Sequence, residues 1–264
     1  IAGVEQMSRI PFSDWLHPAI QERYDADRLS MGQTAETLAR RHGITRDEQD
    51  RFALRSHKRA VAAAESGRFD DEIVPVGTGD ETVERDRTPR PDTSIESLSE
   101  LPTVFRDDER ASVTPGNASP LTDGAAGMLV TSEAYAEEHG LDPLARVETR
   151  AVAGVDPLVM GRGPIPASQT ALKNADITMA DIDLVELNEA FAAQSLHCIE
   201  ELDIPDGKVN VNGGAIALGH PLGCSGARIS TTLLHEMQRR RADYGLATMC
   251  VGFGQGVATV FKRL

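Results

Sequence analysis

Three short segments in the second half of the chain carry groups able to move protons or to stabilise charge. They are LNEAF with Asn188, GGAIALGHPLGCSG with His220, and MCVGFGQG with Cys250. Each stands where an apolar run gives way to a glycine turn or a helix start, and strand ends are where open α/β sheets assemble sites. An amide, an imidazole and a thiol can together hold an oxyanion and exchange a proton with carbon or sulfur. The reference pKa of a thiol, about 8.5, needs only a modest shift to make Cys250 a base near neutrality. Glycines around Cys250 let the backbone come close to a ligand. Taken singly, each residue has a plainer reading: Asn188 as a cap, His220 as a satisfied core group, Cys250 as a small buried hydrophobe.

The elements that must position these residues are legible as alternating patterns. From 31 to 67 the signals are helical. Thr45 with Glu48 forms a capping box, apolar Phe52, Leu54, Ala60, Val61 and Ala64 make one buried stripe, and Gly67 ends the run. Residues 70–122, rich in Pro, Asp, Ser and Thr, read as a loop-rich excursion with short strand candidates such as EIVPV. DGAAGMLVTSEAYAEEHG suggests a small-residue helix or turn, a short strand and a helix, and RVETRAVAGV then reads as a strand. Beyond it come a helix at 166–174, the strand IDLVELN, the helix EAFAAQSLHCIEEL, a strand with a glycine turn at VNVNGGA, a helix at 223–241, and closing strands LATMCVG and GVATVFKRL. Helices alternating with buried apolar strands indicate an α/β layered sheet.

Composition narrows the function. The 264 residues, 40% of them hydrophobic, can bury a sizeable core. No apolar run is long enough to span a membrane, and the first residues lack the pattern of a signal peptide, which places the chain in the cytoplasm. A net charge of -14 argues against nucleic acid and against an anionic membrane as partners. The three cysteines, Cys198, Cys224 and Cys250, show neither CxxC nor a histidine at ligand spacing, so neither a disulfide framework nor a metal site is expected.

The chain resembles the thiolases, the acetyl-CoA acetyltransferase and 3-ketoacyl-CoA thiolase family, over essentially its whole length. The stretches that carry the resemblance are IAGVEQMSR, SMGQTAETLARRHGITRDEQDRFALRSH, DEIVPV, TPGNASPLTDGAA, MGRGPIPA, ELNEAFAAQ, NVNGGAIALGHPLGCSGAR and CVGFGQGVATVF, in family order. The resemblance implies a thiolase-like layered αβαβα architecture with a loop-rich inserted domain. It divides the chain into 1–3, a remnant of the N-terminal domain; 4–122, the loop domain that covers coenzyme A; 123–146, the last segment of the N-terminal domain; and 147–264, the C-terminal domain.

By the same resemblance, Asn188 would hold a water that forms an oxyanion hole with the His220 imidazole. Cys250 would exchange the α-carbon proton, and the Gly252 N–H would serve a second oxyanion hole. Arg90 and Ser97 would face the nucleotide of coenzyme A, Ser119 the pantetheine, and Met31 and Phe105 the acyl and pantetheine tunnel. Coenzyme A is then substrate, no other cofactor or metal is implied, and a homodimer or homotetramer is the expected assembly. The family's nucleophilic cysteine precedes the segment matching IAGVE, and the sequence begins at Ile1, so the reading is the C-terminal two-thirds of a thiolase. Its alternative is a catalytically incomplete fragment or split-enzyme half that binds acyl-CoA or a partner without turnover. A third reading makes Cys224 and His220 a cysteine hydrolase.

Three departures from the family stand out. Ser30 replaces the histidine of short-chain biosynthetic members, Phe253 interrupts the usual CxGGG turn, and Ala2 stands where glycine is preferred. The remaining histidines, among them His42 and His197, match no motif and read as surface or packing groups.

Of the 27 basic residues 23 are Arg and 4 are Lys, beside 41 acidic ones, a bias shared by high-salt proteins and GC-rich genomes. A self-repelling acidic surface responds to screening, so the protein is expected to melt at a higher temperature in molar KCl than in dilute buffer. Equal melting temperatures would remove the salt-adapted reading.

Overall fold

The computed structural model describes residues 1–9, 17–79 and 81–264. Its centre is a four-stranded mixed sheet of β5 (Ala145–Gly154), β6 (Leu184–Leu187), β7 (Tyr244–Val251) and β8 (Gln255–Arg263), in the order β5-β8-β7-β6. β6 runs parallel to β7, and the other two pairings are antiparallel. Alternation along β6 sends Val185 and Leu187 to one face and Leu184 to the other. The first face packs on α6 (Pro164–Asn174) and α7 (Ala192–Glu201), through Ile165, Leu172, Cys198 and Leu202. The second packs on α9 (Ser225–Arg240), through Ile229, Leu233 and Met237.

The far side of α9 carries a two-stranded antiparallel pair, β1 (Ala2–Gln6) and β4 (Asp123–Gly127). The stack therefore reads α6/α7, central sheet, α9, β1/β4. DGAAG forms this second strand, where the sequence suggested a helix or turn. Its small residues serve close packing: a Cβ on Gly124 would meet Pro221 Cγ at 2.7 Å, and one on Gly3 would meet the Gly223 carbonyl oxygen at 2.5 Å. VNVNGGA also departs from expectation. Val209 makes a single parallel bridge to Val185 before the chain turns into the short helix α8 (Ala215–Leu218). EIVPV is irregular apart from Val76, which begins β2 (Val76–Gly77), paired with β3 (Thr82–Val83). Pro75 and the outward-facing Val74 give a ladder little to hold there.

Over this body lie α2 (Met31–His42) and α3 (Arg46–Glu65), with the short helices α1 (Pro18–Gln21), α4 (Ile95–Ser99) and α5 (Glu133–Glu138) on the periphery. The Thr45–Glu48 capping box is present at the start of α3. The buried side of α3, however, includes Gln49, Asp50, Ser56 and His57 beside Phe52, Ala53, Ala60 and Ala63. An apolar stripe misses these polar residues, which serve the loops docked on the helix. Asn117 Nδ2 donates to Asp50 Oδ1 at 2.9 Å, and the Arg90 N–H donates to His57 Nδ1 at 3.2 Å.

A similar device holds the loop on α2. The buried Glu36 carboxylate accepts from the backbone N–H groups of Ser112 and Val113, each at 2.9 Å, and from Ser112 Oγ at 3.0 Å. Removing an acceptor that satisfies several buried donors leaves them desolvated and unpaired. Glu36→Ala is expected to destabilise the protein by about 3 kcal/mol in urea denaturation. A loss within about 0.5 kcal/mol, the range of surface substitutions, would mean that the loop does not depend on this carboxylate.

Candidate active site

Adjacent strand ends bring the first two groups into one region. Leu187 of β6 lies opposite Thr248 of β7, and the Asn188 N–H continues the ladder to the Thr248 carbonyl at 3.0 Å. Asn188 thus leaves β6 one register position from Cys250, which lies near the end of β7. Beyond Val251 the chain turns through Gly252 to Gly254 into β8. Gly254 has φ +87°, and a Cβ there would meet the Val155 carbonyl oxygen at 2.5 Å, so the turn needs glycine on both counts.

His220 arrives from the loop between α8 and α9. Asn188 Nδ2 and His220 Nε2 lie 3.3 Å apart, and His220 Nδ1 is 2.6 Å from Ser225 Oγ. Ser225 is fully buried in the first turn of α9 and donates to the Pro221 carbonyl at 2.9 Å. With its one proton committed there, Ser225 accepts from Nδ1–H, and Nε2 carries the lone pair toward the Asn188 amide. Rotating the Ser225 hydroxyl onto Nδ1 selects the other tautomer, with Nε2 as donor. The same ring can therefore take a proton or donate a hydrogen bond. Burial, with the Arg228 charge adding to it, lowers the His220 pKa to about 4, so the ring is neutral at physiological pH.

Cys250 sits in an apolar group with Met160, Ala190, Met31 and Phe191. Burial pushes its pKa up to about 12, opposite to the shift toward neutrality that its glycine turn suggested. The physical reason is packing: a thiol 4% exposed among apolar neighbours has little to solvate its anion. Cys224 stands at the N-cap of α9, yet burial raises its pKa as well, against the pull of Arg228. The helix start does not make a reactive thiol of it, and the hydrolase reading loses its nucleophile. Cys198 is fully buried, its pKa is raised by burial, and its thiol donates to the Gly161 carbonyl at 3.3 Å.

Of the predicted binding residues, Met31 and Phe105 come together with the site. A Cβ on Gly252 would meet Met31 Cε at 3.1 Å, one on Gly32 would overlap the Phe105 ring, and Phe105 meets Phe191 edge-on with centroids 6.1 Å apart. Ser119 docks its N–H at 3.0 Å and its Oγ at 3.1 Å on the Ala190 carbonyl. Ser97 closes the capping box of α4, where its Oγ accepts from the Ser94 N–H at 3.1 Å and donates to the Ser94 carbonyl at 3.0 Å. Arg90 and Gly252 are exposed.

Two features escaped the sequence reading. Glu189, 1% exposed, accepts from Ser56 Oγ at 2.6 Å, Asn210 Nδ2 at 2.8 Å and the Ile216 N–H at 3.2 Å. It ties α3 and the 210–216 loop to the Asn188 turn. Burial raises its carboxyl pKa while those three donors pull the other way. The NEAF motif contained it, but an acidic residue at a helix start first suggests a cap. The second is a cleft of about 520 Å³ lined by Arg51, Arg55, Lys58, Arg59 and Arg68. It gathers cations in an acidic protein, and Asn188, His220 and Cys250 are not among its lining residues.

Comparison with known proteins adds to this geometry. Residues 1–134 match the family model "Thiolase, N-terminal domain" and residues 141–263 match "Thiolase, C-terminal domain". The chain is 53% identical over 274 residues to a 3-ketoacyl-CoA thiolase of Klebsiella pneumoniae, covering 100% of this chain and 70% of that protein. It is 54% identical to the one of Erwinia tasmaniensis, with the same coverage. Its fold is similar to human mitochondrial 3-ketoacyl-CoA thiolase in complex with CoA (TM-score 0.91, 41% identity, covering 100% of this chain and 70% of that one). It is also similar to the Bacillus anthracis acetyl-CoA acetyltransferase (TM-score 0.89, 45% identity, covering 99% and 70%).

A thiol with its pKa raised to about 12 is protonated below that pH, and on the order of one molecule in 10⁴ carries the thiolate at pH 8. Alkylation of Cys250 by iodoacetamide should therefore rise about tenfold per pH unit from pH 7 to 10 without levelling off. A plateau near pH 8, or faster labelling of Cys224, would contradict the buried-thiol description.

Proposed function

The chain belongs to the thiolase family, and from that premise we propose how its own residues serve thiolase-type acyl transfer. The reaction is thiolytic cleavage of a 3-ketoacyl-CoA by CoA, or the reverse Claisen condensation. In the cleavage direction a sulfur nucleophile adds to the 3-keto carbon and the bond from that carbon to the α-carbon breaks. The departing acetyl-CoA enolate must then collect a proton at the α-carbon. Cys250, held as a neutral thiol by its apolar surroundings, is suited to donate that proton.

The observation that carries this reading is the pairing of Asn188 with His220, with Asn188 one register position from Cys250 along the β6–β7 ladder. Both groups are neutral hydrogen-bonders able to face the thioester oxygen on which negative charge develops. The Asn188 Oδ1, buried and without a partner among the described residues, suits a bridging water, which the oxyanion role assigned to this residue requires. Ser225 is the positioning residue that lets His220 act as base toward the nucleophile in one tautomer and as donor in the other. The Gly252 N–H, in the turn after Cys250, is assigned to the second oxyanion hole.

The binding side follows the same premise. Met31 and Phe105, packed against Gly252 and Phe191, line the acyl and pantetheine path, with Ser119 beside them. Arg90 and Ser97, both exposed, take the nucleotide, where a guanidinium can pair with phosphate. Burial leaves none of the three thiols activated as a nucleophile. That sulfur is assigned to the segment that precedes the IAGVE match in the family.

The test is thiolysis of acetoacetyl-CoA by this chain, alone and supplemented with that N-terminal segment of a relative. With the nucleophile supplied, turnover is expected. Asn188→Ala and His220→Ala should each lower kcat by about 10²-fold or more. Ser225→Ala should lower kcat while leaving KM nearly unchanged, because it touches no substrate. Absence of turnover under both conditions, or turnover indifferent to all three substitutions, overturns the reading.

A further inference from the structure

We propose that His42, His197 and Glu201 form a binding site for a divalent transition-metal ion of Zn²⁺ type, joining the C-terminal ends of α2 and α7. One ligand atom from each of the three lies within 4.8 Å of the others. His197 and Glu201 are one turn apart on α7, so both project from the same face. His42 is the last residue of α2 and reaches them from the neighbouring helix. Its ring stacks on that of His197, with centroids 3.8 Å apart and the planes inclined by 29°, and the exposed His42 side chain must turn out of this stack for both lone pairs to meet one ion.

The second, independent observation is the state of His197. Its side chain is fully buried, yet neither Nδ1 nor Nε2 has a hydrogen-bond partner among the described residues. A buried polar atom left unpaired costs about 1–3 kcal/mol, and a neutral imidazole has one ring-nitrogen lone pair in need of a donor or a metal. Simple ring stacking answers the apolar faces of the two rings and leaves that nitrogen unanswered. A cation held between His42, His197 and Glu201 satisfies it. The nearby positive charge of Arg162 opposes a cation, and the Glu201 carboxylate offsets it.

Two imidazole nitrogens and one carboxylate oxygen are the donor set of three-ligand zinc sites that keep a fourth position for water. The exposure of His42 and Glu201 gives that position access to solvent. Imidazole donors select Zn²⁺, Co²⁺, Ni²⁺ or Cu²⁺ over the oxygen-seeking Mg²⁺ and Ca²⁺. The role is structural. α2 starts at Met31, against Gly252, and its 12 residues carry its other end roughly 18 Å away. α7 starts directly after Phe191. The metal would therefore clamp the two helices that frame the acyl path at the ends remote from the chemistry.

The experiment titrates chelator-treated full chain with Co²⁺, read by its visible absorption, and then displaces it with Zn²⁺. One equivalent should bind with an N/O-type spectrum, and saturating Zn²⁺ should raise the melting temperature. His42→Gln and Glu201→Gln, both at exposed positions, should each weaken binding by more than about tenfold, since even the partners of metal ligands are worth that much. Their metal-free melting temperatures should match the parent, which separates loss of a ligand from loss of fold. Mg²⁺ should produce no shift. Absence of saturable Co²⁺ binding, affinity unchanged in both variants, or an intense thiolate-type band pointing to a cysteine would overturn the proposal.

Discussion

The buried Glu189 carboxylate is the constraint on which the site depends. It accepts hydrogen bonds from α3 through Ser56, from the loop before α8 through Asn210, and from the first turns of α8 through the Ile216 N–H. Asn210 in turn pairs with both the N–H and the carbonyl of Leu187, the last residue of β6. One acidic side chain thus sets the relative positions of the turn that carries Asn188, the loop that leads to His220 and the overlying helix. The loop also fits the carboxylate sterically, since a Cβ on Gly214 would meet Glu189 Cδ at 2.2 Å. Such a network is worth having only when every member is satisfied, and here the three donors meet an acceptor with room for them all.

From that framework follows an active region made of neutral groups. Burial holds the His220 imidazole uncharged and the Cys250 sulfur protonated. The low dielectric that produces these shifts is the one that strengthens a hydrogen bond to a developing oxyanion. An ionised thiol among Met160, Met31 and Phe191 would be poorly solvated at rest. Burial therefore keeps the proton on sulfur at rest. Ser225 completes the arrangement by fixing Nδ1 without adding charge.

Much of the fold was legible because burial in a layered sheet leaves a one-dimensional trace. Strands such as LATMCVG and GVATVFKRL are apolar on both faces, and capping residues such as Thr45 and Glu48 announce a helix start locally. The misreadings came where a segment's state is decided by a distant partner. DGAAG became a strand because β1 pairs with it and Pro221 and Cys224 press on it, neither of which its own residues reveal. Val209 makes only one bridge because Asn210 turns away to serve Leu187 and Glu189. The polar inner side of α3 was hidden for the same reason: Ser56, His57 and Asp50 face loops far along the chain.

The sequence by itself determined the family, the alternation of helices and strands, and the identity of the chemical groups, since residue types and their order are local information. Only the tertiary structure decided their electrical state and their company. A cysteine on a glycine turn looks reactive until its surroundings are known, and here those surroundings are apolar and closed. His42 and His197, 155 positions apart and silent in the sequence, become neighbours because α2 packs on α7. Dielectric, protonation and coordination depend on what lies within a few ångströms, and the folded chain sets that distance independently of sequence separation.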